Sequence, residues 1–107
     1  MANSVPTIKN LNVDIENASN HKITNLSLPT ANVEVAHALE AGLKQLVIKA
    51  RGTSKLQYAF TSSESGTNYV TIHKGTSHTL TDLDFVGESL YVQASSNGET
   101  AEILELF

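Results

Sequence analysis

The sequence predicts an all-β domain, a single small sandwich or jelly roll of about eight antiparallel strands, and three observations predict it. Short runs alternate apolar and polar residues with a period of two. Turn-forming residues separate those runs at intervals of roughly 8–12 positions. Ser, Thr and Asn make up nearly a third of the 107 residues, a usage that suits strands, turns and a polar but uncharged surface.

The alternation runs along most of the chain. Leu11, Val13 and Ile15 alternate with Asn12, Asp14 and Glu16. Leu46, Ile48 and Ala50 alternate with Val47, Lys49 and Arg51, and Leu56, Tyr58 and Phe60 with Gln57, Ala59 and Thr61. Val70 and Ile72 share one face, as do Leu90, Val92 and Ala94, while Leu104 and Leu106 lie opposite Ile103, Glu105 and Phe107. Turns are expected at Glu40-Ala41-Gly42, Gly52-Thr53-Ser54, Ser62 to Thr67, Lys74-Gly75 and Asn97-Gly98. An Asn-Gly pair between alternating runs is the signature of a type I′ hairpin, so 92–95 is expected to pair with 100–104. Val35, Leu39, Leu43 and Leu46 could line a helix over about 33–46. Gly42 in its middle costs about 1 kcal/mol relative to Ala, and the reading adopted is two strands, about 32–38 and 43–51. Residues 1–30 contain no aromatic side chain; they read as the domain's first two strands, or as an N-terminal arm laid over a neighbouring subunit.

A chain of this length is one domain, 1–107, and buries roughly 65% of its unfolded surface. Net charge is −4, with seven Lys and Arg residues and no basic run, which disfavours nucleic acid as a partner. With no Cys there is no disulfide, thiolate metal site or thiol nucleophile. Neither a signal peptide nor an apolar run of about 20 residues is visible, so no membrane partner is expected.

Catalytic patterns are weak. Ser62-Ser63-Glu64-Ser65-Gly66 lacks the leading Gly of a nucleophile elbow. His73 and His78 could face each other across a hairpin, but no third metal ligand follows from spacing. Asp82 and Asp84 would share a strand face, a spacing too common to mark a calcium or acid–base site. Gly52-Thr53-Ser54-Lys55 has phosphate-loop residue types in the wrong order and reads as a hairpin turn. Asn17-Ala18-Ser19 and Asn25-Leu26-Ser27 match the glycosylation acceptor without a secretion signal. No catalytic, metal or cofactor site is therefore expected, and no enzyme. Tyr69 and Tyr91 should point away from the face that carries Val70, Ile72, Leu90 and Val92; with Val47 nearby they are the candidate partner contacts. The other reading of that face is a second packed layer. Phe107 closes a strand expected to be pinned in its own sheet or against a partner.

Leu43-Lys44-Gln45-Leu46-Val47-Ile48-Lys49-Ala50-Arg51-Gly52, Lys55-Leu56-Gln57-Tyr58-Ala59-Phe60-Thr61 and Tyr69-Val70-Thr71-Ile72-His73-Lys74-Gly75 follow one another, with Gly87-Glu88-Ser89-Leu90-Tyr91-Val92-Gln93-Ala94-Ser95 and Ala101-Glu102-Ile103-Leu104-Glu105 closing the chain. Their order and spacing resemble small virion proteins of tailed bacteriophages, over roughly residues 30–107. The resemblance implies a β-sandwich or jelly roll acting as a capsid decoration (cement) protein or another head or neck component. Its implied partners are the major capsid protein or another virion protein, and further copies of itself as a dimer or trimer. The implied location is the capsid surface of the virion, after synthesis in the host cytoplasm. There is no active site to carry over. The alternative is a carbohydrate- or receptor-binding sandwich of a phage tail or fibre, using Tyr69 and Tyr91.

Overall fold

The computed structural model describes residues 18–83 and 87–107. The alternating runs become eight strands: β1 (His21–Leu28), β2 (Val35–Ala38), β3 (Gln45–Ala50), β4 (Leu56–Ala59), β5 (Val70–Ile72), β6 (Ser77–Thr81), β7 (Ser89–Ala94) and β8 (Glu99–Leu106). The run Leu11 to Glu16 lies outside the described residues. The segment with competing helix and strand readings forms β2 and β3, joined through Gly42 at φ +72°, a left-handed conformation that Gly adopts without penalty.

Four strands form one sheet in the order β1-β8-β3-β6, and four form a second in the order β2-β7-β4-β5, all pairs antiparallel. The chain therefore behaves as one long hairpin. The pairs β1–β8, β2–β7, β3–β6 and β4–β5 all centre on residues 63–64, as in His21↔Leu106 and Leu56↔Ile72. That hairpin is then rolled so that β3 meets β8 and β4 meets β7, both centred on residues 75–76. This is the jelly roll, which closes two sheets over a single core and leaves few long edges.

Burial follows the alternation. Leu46, Ile48 and Ala50 of β3, Ala101 and Ile103 of β8, Leu56 and Tyr58 of β4, and Leu90, Val92 and Ala94 of β7 face inward and pack as one cluster with Leu28, Leu39, Leu43 and Ile72. Tyr58 carries its hydroxyl to the His78 Nδ1 of the opposite sheet at 3.2 Å, and its ring meets both His78 and Phe60 edge-on. Burial pushes the Tyr58 phenol pKa upward.

Three turn assignments need correction, for one reason: of the consecutive strands, only β4 and β5 are neighbours in a sheet. Asn97-Gly98 is not a type I′ hairpin. Gly98 has φ +70° but Asn97 is not among the residues with positive φ, and a type I′ turn needs both. Instead the Asn97 side chain accepts the Ala31 amide at 2.7 Å and the Gly98 amide donates to Pro29 at 3.1 Å, so the turn carries the chain from β7 in one sheet to β8 in the other. Gly52-Thr53-Ser54 and Lys74-Gly75 are likewise crossovers between sheets. His73 and His78 consequently do not face each other across a hairpin: His73 is exposed in the crossover and His78 points inward from β6.

Val70 also departs from expectation. It is 46% exposed because it opens the three-residue edge strand β5, where the sheet has run out of neighbours. Ile103, fully buried at the centre of β8 between β1 and β3, should be the converse case. Ile103→Ala is expected to cost about 2–5 kcal/mol, read as a lower urea midpoint with an unchanged slope.

Candidate functional site

The loops that frame the surface are held by carboxylates. Consecutive strands change sheets, so the linking residues leave backbone amides without ladder partners, and buried amides need acceptors. Glu99, at the start of β8, accepts the Ser54 amide at 3.0 Å and the Thr53 hydroxyl at 3.2 Å. A Cβ on Gly52 would collide with this carboxylate, so a larger residue there would have to displace it from the Ser54 amide. Glu105, at the other end of β8 and fully buried, accepts the Glu40 amide at 2.8 Å and meets the His37 Nε2 of the opposite sheet at 2.9 Å. Glu34 accepts the amides of Ser63 at 2.8 Å and Ser65 at 3.1 Å, and the Ser65 hydroxyl as well.

This last contact lays the 60–69 loop over the outer face of β7. Ser65 is fully buried there, the hydroxyl that it donates to Glu34 also lying 3.1 Å from Gln93 Oε1, while Gln93 Nε2 donates to Gln57 Oε1 at 3.0 Å. The β2-β7-β4-β5 sheet is thus partly covered on its outer side. Among the described residues, the outer face of β1-β8-β3-β6 carries no such loop. Across it runs an apolar row in register, Ile23 of β1, Leu104 of β8 and Val47 of β3, ending at Thr79 of β6.

The three sequence-selected contact residues fall in three places. Val47 is half-buried in that row. Tyr91 is half-buried on the outer face of the other sheet, between Ala36 of β2 and Ala59 of β4. The expected patch of Val47 beside the tyrosines is corrected: β3 and β7 belong to different sheets, and outward residues of packed sheets point in opposite directions. Tyr69, 41% exposed, ends the 60–69 loop next to Val70, which pairs with Tyr58, and Tyr58 in turn touches Phe60, 37% exposed. Phe60, Tyr69 and Val70 thus place three exposed apolar side chains around the start of β5, at the β4–β5 end of the sheet. Phe60 and Val70 were missed because period two alone assigns both to the core face.

Asp82 does not lie on a strand face; it takes φ +57° in the turn after β6, and Asp84 lies outside the described residues. Among the described residues, no three His, Asp or Glu side chains gather as a metal-binding group. No helix there is long and apolar enough to cross a membrane.

No family model matches the chain, and no curated protein does. Among solved structures, a de novo designed double-stranded β-helix determined by solution NMR is similar, with a TM-score of 0.50 at 12% identity, over 80% of this chain and 96% of that one. At that identity the likeness concerns the fold alone.

The carboxylates that tie the loops should make the fold acid-sensitive. The Ser54 amide does most to hold the Glu99 carboxyl below the ordinary carboxylate range; burial opposes it, and the Thr53 and Ser54 donors add to it. Burial raises the Glu34 pKa, but the Ser65 hydroxyl and the amides of Ser63 and Ser65 together outweigh that and leave it lowered. A carboxyl whose folded pKa is depressed stabilises above its unfolded pKa and loses that contribution as pH falls through the folded value. Urea midpoints should therefore be flat near neutrality and decline below roughly pH 4, and the double variant Glu34→Gln, Glu99→Gln should start lower and decline less.

Proposed function

We propose that this chain is a non-enzymatic virion structural protein of a tailed bacteriophage, a capsid decoration (cement) protein that braces neighbouring capsid subunits. The observation that carries the proposal is the exposed apolar surface of Phe60, Tyr69 and Val70 on a stiff support. Large exposed apolar groups gathered in one region of the surface mark interaction sites. A brace gains most when such groups are held rigid before binding, because less conformational entropy is then lost. Here the support is a loop tied at Ser63 and Ser65 by Glu34 and packed onto Gln93. The jelly roll itself recurs in viral capsid proteins, which agrees with the order of motifs over residues 30–107.

A second reading, a saccharide- or receptor-binding module, has Tyr69 beside Asn68 in its favour, an aromatic face next to a planar polar group. The Asn68 side chain, however, is engaged with Glu64 at 3.4 Å.

Purified particles of the encoding phage should contain this chain at a fixed ratio to the major capsid protein by mass spectrometry. The full chain mixed with empty heads should add density over a symmetry axis. Tyr69→Ala should lower head occupancy at a given concentration by about tenfold, the loss typical of an aromatic anchor. Absence from purified particles overturns the capsid assignment. Glycan-array binding that Tyr69→Ala abolishes would establish the second reading.

A further inference from the structure

The open face of the β1-β8-β3-β6 sheet is not used by the capsid-contact proposal, and its arrangement has a property of its own. Its outward residues fall into cross-strand rows. Next to the apolar row lies Asn25–Glu102–Lys49–Ser77, with Glu102 and Lys49 directly opposite each other on β8 and β3; on the other side lies His21–Leu106–Gln45–Thr81. β8 and β3 are the two central strands.

We propose that this face is the contact between two copies of the chain, packed face to face about a two-fold axis that runs parallel to the strands between β8 and β3. Such an axis exchanges β8 and β3 while keeping height along the strands. It places Leu104 of each copy over Val47 of the other, and Glu102 of each copy over Lys49 of the other. One operation thus buries the apolar centre and forms two opposite-charge pairs at its margin, the self-complementarity that a two-fold interface requires. Aligned sheets pack in this way about 10 Å apart. Arg51 already holds Glu102 in place at 3.2 Å and Asn25 at 2.8 Å within the same copy, so Lys49 is the cation of the row that faces outward to a partner.

Four strands about 4.8 Å apart, over some six residues, present a footprint of roughly 20 by 20 Å. That is below the ~800 Å² per partner of a standard stable interface. The dimer is accordingly expected to be a reversible one, to be sought over roughly 10–500 μM protein.

Sedimentation equilibrium of the full chain over that range tests the proposal, with circular dichroism to confirm folding of each variant. Lys49→Glu alone sets carboxylate against carboxylate in both pairs of this row, and Glu102→Lys alone sets ammonium against ammonium in both. Each should raise the dimer dissociation constant at least about tenfold. Mixing the two variants at equal concentration should restore association, because the mixed dimer faces the two carboxylates of one copy with the two ammonium groups of the other. A wild-type chain that stays monomeric up to about 1 mM overturns the proposal. So does a dimer that neither variant weakens, or two variants whose mixture associates no better than either alone. These outcomes are independent of whether the chain binds capsids.

Discussion

Everything in this fold depends on one constraint: apart from β4 and β5, consecutive strands change sheets, so most links must find hydrogen-bond partners without a ladder. Backbone carbonyls of other strands serve some of them, as when the amide of Asn32 reaches Ala94 and that of Gly75 reaches Ala50. Others are met by side chains, Asn97 for Ala31 and glutamates for Glu40, Ser54, Ser63 and Ser65. Glu99 and Glu105 stand at opposite ends of β8, each turned inward, and each receives the amide of a crossover. Removing such an acceptor leaves a buried donor unsatisfied, which costs more than the bond itself contributes, about 1–3 kcal/mol. β8 is thereby both the central strand of its sheet and the anchor of two loops that lead into the other.

Most strands were legible because alternation is a direct image of one face packed and one face wet. Leu46, Ile48, Ala50, Leu90, Val92 and Ala94 are inward for that reason. What period two does not encode is which sheet a strand joins. Asn97-Gly98 has the residues of a hairpin, but the Asn side chain is spent on Ala31, and nothing local to the turn announces a partner 66 positions away. The same limit separated Val47 from Tyr91. Both do point outward as parity requires, yet from opposite sheets. Glu99 and Glu105 share parity with Ala101 and Ile103, so their inward direction was available in the pattern; their charge argued against it. Partners that the local pattern does not reveal, the Ser54 amide and Thr53 hydroxyl for Glu99 and the Glu40 amide and His37 for Glu105, make such burial tolerable.

The two outer faces differ in consequence. Over β7, the loop of residues 60–69 turns what would be an open sheet into a layered one, with Ser65, Gln93 and Gln57 forming a polar ladder beneath it. Over β8 and β3 no loop among the described residues covers the sheet. The molecule thus has an apolar end, carrying Phe60, Tyr69 and Val70, and a separate flat side, carrying Ile23, Leu104 and Val47. The two differ in position and direction, and the roll supplies both from one small core.

The nested pairing also imposes an order on folding. Leu56 finds Ile72 across a short span of chain, whereas Leu28 and Glu99 are 71 residues apart and His21 and Leu106 are 85. Local contacts cost less loop entropy, so the β4–β5 hairpin is the natural nucleus and each further pair closes outward from it. β1 joins last. Until it does, the β8 edge stands open, with Ile103 and Ala101 beside it. A chain of this topology is therefore slow to complete and most prone to exchange strands with its neighbours just before its first strand settles.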